Sequence, residues 1–334
     1  LALEIVLIVV FSAHLLAMNV ASASPLLSVW ADWHSQRRQD ETAAALARFL
    51  ARQALVHLLA GILLGAVALG LVWHRYPHAF GTSLGGVPTS RYWFAGLELL
   101  FSLGCLLLYA RVWPSSPAGR WAHRLLAVVA ATNLLYHFPA LFAVINRFGT
   151  DPQLQTQAPS FLTVMLHPEC LARVLHFIAA SFAVTGIAVM AFGLRLGRGG
   201  TPASDTDRVM RWGSRVALVP TLMQIPIGLY VLLNLPGTAR DQLMGHDLTA
   251  TVLFIAALAA SLALLQNLAG AALGDTGRTQ TVRTMVWLAV VVLLMVAVRH
   301  QARRAIFEQV EARSNSIAWH SAELPPLSFR LILE

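Results

Sequence analysis

The segment PECLARVLHFIAASFAVTGIAVMAFGL, residues 168–194, decides the fold class. From Val174 to Leu194 it carries no charged residue, and about 20 apolar residues in a helix cross the hydrocarbon of a bilayer. Seven more runs of this kind lie at roughly 5–30, 52–73, 92–111, 122–145, 214–235, 248–271 and 282–299. A chain inside lipid must satisfy its own backbone hydrogen bonds, so these runs are read as helices and not as strands. The sequence therefore predicts an all-α polytopic membrane protein with about eight transmembrane helices.

Composition agrees. Of 334 residues, 57% are hydrophobic and 12% charged, and the mean hydropathy of +0.64 excludes a soluble globular protein. All 24 basic residues are arginine against 16 acids, for a net charge of +8. In a soluble protein a pI near 10.6 would point to nucleic acid, but these arginines sit between apolar runs, where they orient helices in the lipid bilayer. Nucleic acid is excluded as a partner on that ground. Cys105 and Cys170 form no CxxC or CxxCH, which excludes covalent haem, an iron-sulfur cluster and a cysteine zinc site in this chain.

The first run lacks a small-x-small cleavage site followed by a soluble domain, so it is read as a retained helix. Loops 1, 3, 5 and 7 hold fourteen arginines, whereas loops 2, 4 and 6 hold four: Arg75, Arg91, Arg147 and Arg240. The positive-inside rule then places both termini in the periplasm and the chain in a bacterial inner membrane.

An internal repeat organises the runs. His14 and His176 lie 162 positions apart, Ala54–Gly65 aligns with Ala217–Gly228 at an offset of 163, and Leu126–His137 aligns with Leu288–His300. We read two tandem four-helix units in parallel orientation, 1–146 and 147–300, each with a histidine on its first and fourth helices. Residues 301–334 are read as an external C-terminal arm for a partner, with helical spacing at Ala305, Ile306 and Val310 that Pro325 and Pro326 end.

Histidine inside a membrane span is costly, and it pairs, faces a cavity or binds a cofactor. His14, His137 and His176 each sit eight or nine residues from the outer end of the apolar run, roughly 12 to 13 Å deep at 1.5 Å per residue. Imidazoles at matched depth suit haem b, whose iron takes two axial ligands from neutral side chains, and two or more haems are expected. Small neighbours such as Ala17, Ala21, Ala179 and Ala183 would leave room for the ring. The propionates would point outward to Arg147, Arg299, Arg303 and Arg304, because arginine matches carboxylates. His246, His300 or Met244 could complete the His176 site. Glu98, the only acid well inside a span, is a candidate for a proton path or a haem edge. A structural hydrogen bond is its plainer role.

These segments resemble subunit I of the cytochrome bd quinol oxidases. His14 in AHLLAMNVASASPLLSVWADW matches the placement of a high-spin haem ligand, and His176 in RVLHFIAASFAVTG matches the low-spin haem ligand. Glu98 in AGLELLF corresponds to a helix 3 glutamate of that family. The resemblance covers helices 1 to 5 and departs later. The long external loop that forms the family's quinol site shrinks to Leu235–Asp247, a second helix 3 glutamate falls near Leu106 or Leu107, and a late-helix glutamate ligand falls near His300. The resemblance with these departures implies six-coordinate haems and an electron-transfer subunit of a respiratory complex. Its expected partners are quinone or quinol, other membrane subunits and a periplasmic c-type cytochrome or redox protein. The alternatives are a bd-type terminal oxidase subunit, a haem-free transporter and a membrane anchor.

Overall fold

A computed structural model describes residues 2–151, 154, 157, 159–235 and 237–323, with the side chains of 238, 305 and 313–323 left undescribed. Among the described residues, eight helices are long and apolar enough to cross a membrane: α1 (Ala2–Arg38), α2 (Glu41–Arg75), α3 (Thr89–Arg111), α4 (Pro117–Thr150), α5 (Pro168–Arg198), α6 (Ala203–Leu233), α7 (Leu248–Leu273) and α8, whose span is Arg278–Ala312. The helix of α8 itself continues to Glu323. The described residues contain no strand. The chain is an all-α, multi-pass membrane protein.

The helices outrun the apolar runs. α1 has 37 residues, about 55 Å at 1.5 Å per residue, against a hydrocarbon layer of about 30 Å. Local chemistry sets most ends. Asp40 caps α2 by accepting from the Ala43 amide, and Ser116, His167 and Asp247 do the same for α4, α5 and α7. Gly274 ends α7 at φ 128°, a left-handed conformation that suits glycine. α4 contains a π-turn at Asn133–His137. Pro139 follows it and cannot donate to the carbonyl four residues back, which loosens the ladder at that point.

At the centre, α1 packs along α2 and α5 along α6, more extensively than any other pairs. Small residues allow it: Ala21, Ala47, Ala51, Ala54 and Ala217 are fully buried or nearly so. A methyl added at Gly186 would come within 2.6 Å of the Gly213 carbonyl oxygen, so the α5/α6 backbones nearly touch. α3 and α4 flank the first pair, and α7 and α8 the second.

Glu4 near the start of α1, Arg75 at the end of α2, and Arg304 and Glu308 on α8 form one ion-pair group. The start of α1 and the far part of α8 therefore lie on the same side. Past its apolar run, which ends near residue 299, α8 continues as a helix. Phe307 packs edge-on against Tyr76 at 5.4 Å, and Glu311 accepts from the Ala79 amide at the start of a short helix, Pro77–Gly85. The first part of the arm is thus seated on its own chain, leaving less of it for a partner than the sequence suggested. Pro325 and Pro326 lie outside the described residues.

Candidate functional site

His14 sits between α1 and α2. Its Nδ1 is 2.8 Å from the Gly61 carbonyl oxygen, so this nitrogen donates and Nε2 is left free. Phe11 stacks on the ring at 5.8 Å. A methyl at Gly65 would meet His14 Cε1 at 2.8 Å, so glycine there makes the space that the ring fills. Above Phe11, at 4.9 Å, lies the guanidinium of Arg299 from α8.

That end of the bundle holds a small crevice lined by Phe11, Tyr76, Arg299, His300, Arg303 and Phe307, with aliphatic residues from α1, α2 and α8. Three of its polar atoms are buried without a hydrogen-bond partner: Tyr76 Oη, His300 Nε2 and Arg303 Nε. Arg299 and Arg303 have no carboxylate partner among the described residues, and the charge of Arg173 on α5 acts on both. The other two arginines expected near propionates are already neutralised. Arg147 meets Glu169 at 2.6 Å, and Arg304 meets Glu308 at 2.7 Å and Glu4 at 3.6 Å.

His176 on α5 is looser. Its Nδ1 is buried without a partner, and the amide of Gln224 on α6 lies 3.5 Å from Nε2. The small residues expected to make room for a ring, Ala17, Ala21, Ala179 and Ala183, are buried in this structure.

His137 stands apart from both. Its Nδ1 is 2.9 Å from Glu98 Oε1, and the side chains of His137 on α4 and Glu98 on α3 are 44% and 35% exposed. Ser22 reaches the Leu134 carbonyl oxygen, which puts His137, about one turn further out, roughly level with Asn19 and deeper than His14. His246 is exposed in a turn before α7, Gln242–His246, and its side chain makes no hydrogen bond among the described residues. Met244 beside it is also exposed.

A second polar group, at the opposite end of the bundle from His14, escaped the sequence reading. Asp32 of α1 meets Arg124 of α4 at 2.8 Å, with side chains only 12% and 10% exposed. Tyr109 Oη lies 2.8 Å from Ser28 Oγ, and His123 donates from Nε2 to the Tyr109 carbonyl oxygen at 2.8 Å while stacking on the ring. His123 is therefore buried in the bundle and not a solvated surface residue. The available signal was an acid, Asp32, just past the first apolar run and a base, Arg124, near the start of the fourth.

No protein-family model matches the sequence, and neither does any curated protein. A solved structure does match in fold: the bd oxidase from Geobacillus thermodenitrificans, at TM-score 0.70 and 15% sequence identity, covering 92% of this chain and 85% of that one. The likeness first read from helices 1 to 5 thus extends across nearly the whole chain as a likeness of architecture: the protein has the fold of a cytochrome bd oxidase chain.

Proposed function

We propose that the chain is a haem-bearing membrane subunit of a bd-oxidase-like electron-transfer complex in a bacterial inner membrane, with both termini periplasmic. Electrons pass between the quinone pool and a periplasmic redox partner, for which a c-type cytochrome is the natural class. The observation that carries this reading is the set of unsatisfied polar atoms on the bd fold: His176 Nδ1, His300 Nε2, Arg303 Nε and Tyr76 Oη.

A buried polar atom without a partner costs about 1–3 kcal/mol, and this set matches haem b in its chemistry. Imidazole nitrogens suit the iron, and unpaired guanidiniums suit the carboxylates. When bound, the haem supplies a one-electron couple inside the hydrocarbon layer. The chain's own residues do the rest. The Gly61 carbonyl fixes the ring of His14 and directs Nε2 to the ligand position. Arg299 and Arg303 are placed to hold carboxylates at the outer end of the bundle. The half-exposed Glu98–His137 pair would be costly against lipid, which supports a second membrane subunit covering α3 and α4.

A second reading, a terminal quinol oxidase, is favoured by that same pair, which can hold and release a proton beside a reduction site. One experiment separates them. The purified chain, reduced with quinol, is mixed with a periplasmic c-type cytochrome or with oxygen. Fast reoxidation by the cytochrome, slow oxygen consumption and a small carbon monoxide difference spectrum support electron transfer. Robust oxygen consumption with a large carbon monoxide signal supports the oxidase.

A further inference from the structure

Two guanidiniums at the Tyr76 end of the bundle, Arg299 and Arg303 of α8, have no carboxylate partner among the described residues, although both line the crevice there. The acids of that end are already engaged. Glu4 and Glu308 meet Arg75 and Arg304, Glu311 accepts from the Ala79 amide, and Glu169 is shared by Arg147 and Arg173. Beside the two arginines, Arg303 Nε, His300 Nε2 and Tyr76 Oη are buried without a partner, and Tyr76 as a whole is only 2% exposed. Each of these atoms can donate a hydrogen bond, the imidazole in the tautomer that carries its proton on Nε2. Three donors and two positive charges grouped around one crevice have the chemistry of an oxyanion receptor.

The crevice limits the size and the level of that anion. Its volume of about 70 Å³ holds roughly five water-sized groups, enough for a phosphate but not for a flat macrocycle. It is therefore a place for an anionic head. The rest of the lining is aliphatic, and Val72 and Val296 lie one turn inward of Tyr76 and His300. Next to Val72, Trp73 is 63% exposed, and tryptophan at the end of a span sits at the level of the lipid headgroups. Polar atoms at that level above an aliphatic wall match an amphiphile, with its head among the arginines and its chain along the helices.

We propose that this crevice binds the phosphate group of a membrane phospholipid, and that lipid phosphate and haem carboxylates compete for Arg299 and Arg303. The competition rests on the haem reading above; the phosphate site does not. No bond is made or broken in the exchange, since one oxyanion replaces another on the same donors. A free phosphate ion offers the same chemistry, and the experiment separates the two sources.

The full chain, expressed under haem limitation and stripped of lipid in detergent, is offered phosphatidylglycerol or millimolar inorganic phosphate. Native mass spectrometry counts bound lipid, and thermal unfolding reads the effect of phosphate. Wild type should hold one phosphatidylglycerol. Arg303→Gln should weaken binding about tenfold or more, and Tyr76→Phe, which keeps the ring on Phe307 and removes only the hydroxyl, about threefold. Arg91→Gln, which removes an exposed charge on α3 outside the crevice, should change nothing. A wild-type chain that holds no lipid but melts higher with phosphate, an increase that Arg303→Gln loses, assigns the site to the free ion. The site is overturned if wild type responds to neither probe, or if Arg303→Gln binds as wild type does; Tyr76→Phe decides where Arg303→Gln fails to accumulate. Haem is then titrated into the lipid-bound chain. Lipid that leaves as haem binds supports the competition, and haem bound at unchanged lipid occupancy overturns it. A chain that holds lipid but takes up no haem overturns the functional reading and the competition while the phosphate site stands.

Discussion

The surroundings of His14 and His176 are built differently at matched positions. His14 is held by the Gly61 carbonyl and packed against Gly65. At the counterpart positions the second unit has Gln224, whose amide is 3.5 Å from His176, and Gly228, beside which an added methyl meets nothing within 4 Å. The far ends of the helices differ as well: under the repeat offset of 162, the Asp32–Arg124 ion pair falls on Leu194 and Val286. The difference teaches that helix crossings and site linings change separately. The central packing of α1, α2, α5 and α6 is common to both units, whereas the polar groups around each histidine belong to one.

The largest effect on stability is expected at the Asp32–Arg124 end. Asp32→Asn leaves Arg124 buried without its carboxylate, and breaking a buried pair from one side costs about 3 kcal/mol or more. Leu194→Ala, at the matching half-buried position, should cost about 1 kcal/mol. Thermal unfolding in detergent checks both. Equal losses would mean that the ion pair contributes nothing distinctive to the first unit.

A smaller and more local contrast is expected at the glycines. Gly65→Leu must displace the ring of His14, an overpacking of about 1–3 kcal/mol, and should weaken the spectral component that depends on His14 while leaving the other intact. Gly228→Leu should change neither component. If both variants behave alike, the first site is not built more tightly than the second.

The smallest effect on haem content is expected at Glu98. Its carboxylate engages Nδ1 of His137 and, on the proposed haem reading, leaves Nε2 to the iron, so Glu98→Gln should retain both haem components. Removing an outer-shell partner of a ligand can still weaken binding by roughly tenfold or more, which a haem titration of the variant resolves. Complete loss of a component would instead make Glu98 itself part of the haem site.

The eight spans were legible because strongly apolar runs of bilayer length have one reading in lipid. Their ends were not: the terminal turns at the end of α1, the start of α2 and the end of α8 carry polar residues, so a scan for apolar residues stops before the helix does. Ala54 and Ala217, which the repeat pairs as counterparts, are each fully buried in a cluster between helices. Glu98 and His137 were each recognised alone. Their pairing depends on the register of α3 against α4 around a π-turn, a geometry with no linear signature. The Asp32–Arg124 and Tyr109–His123 contacts join residues of helices that are distant in the chain, and neither member of a pair announces the other.

The central claim, that this bd-fold chain carries haem between its helices, is tested most directly by the haem content of the purified protein. After expression with ample haem, the account predicts two or more b-type haems per chain, visible in the reduced-minus-oxidised spectrum and extracted by acid-acetone because none is covalently attached. A colourless protein, properly inserted and folded, would contradict it.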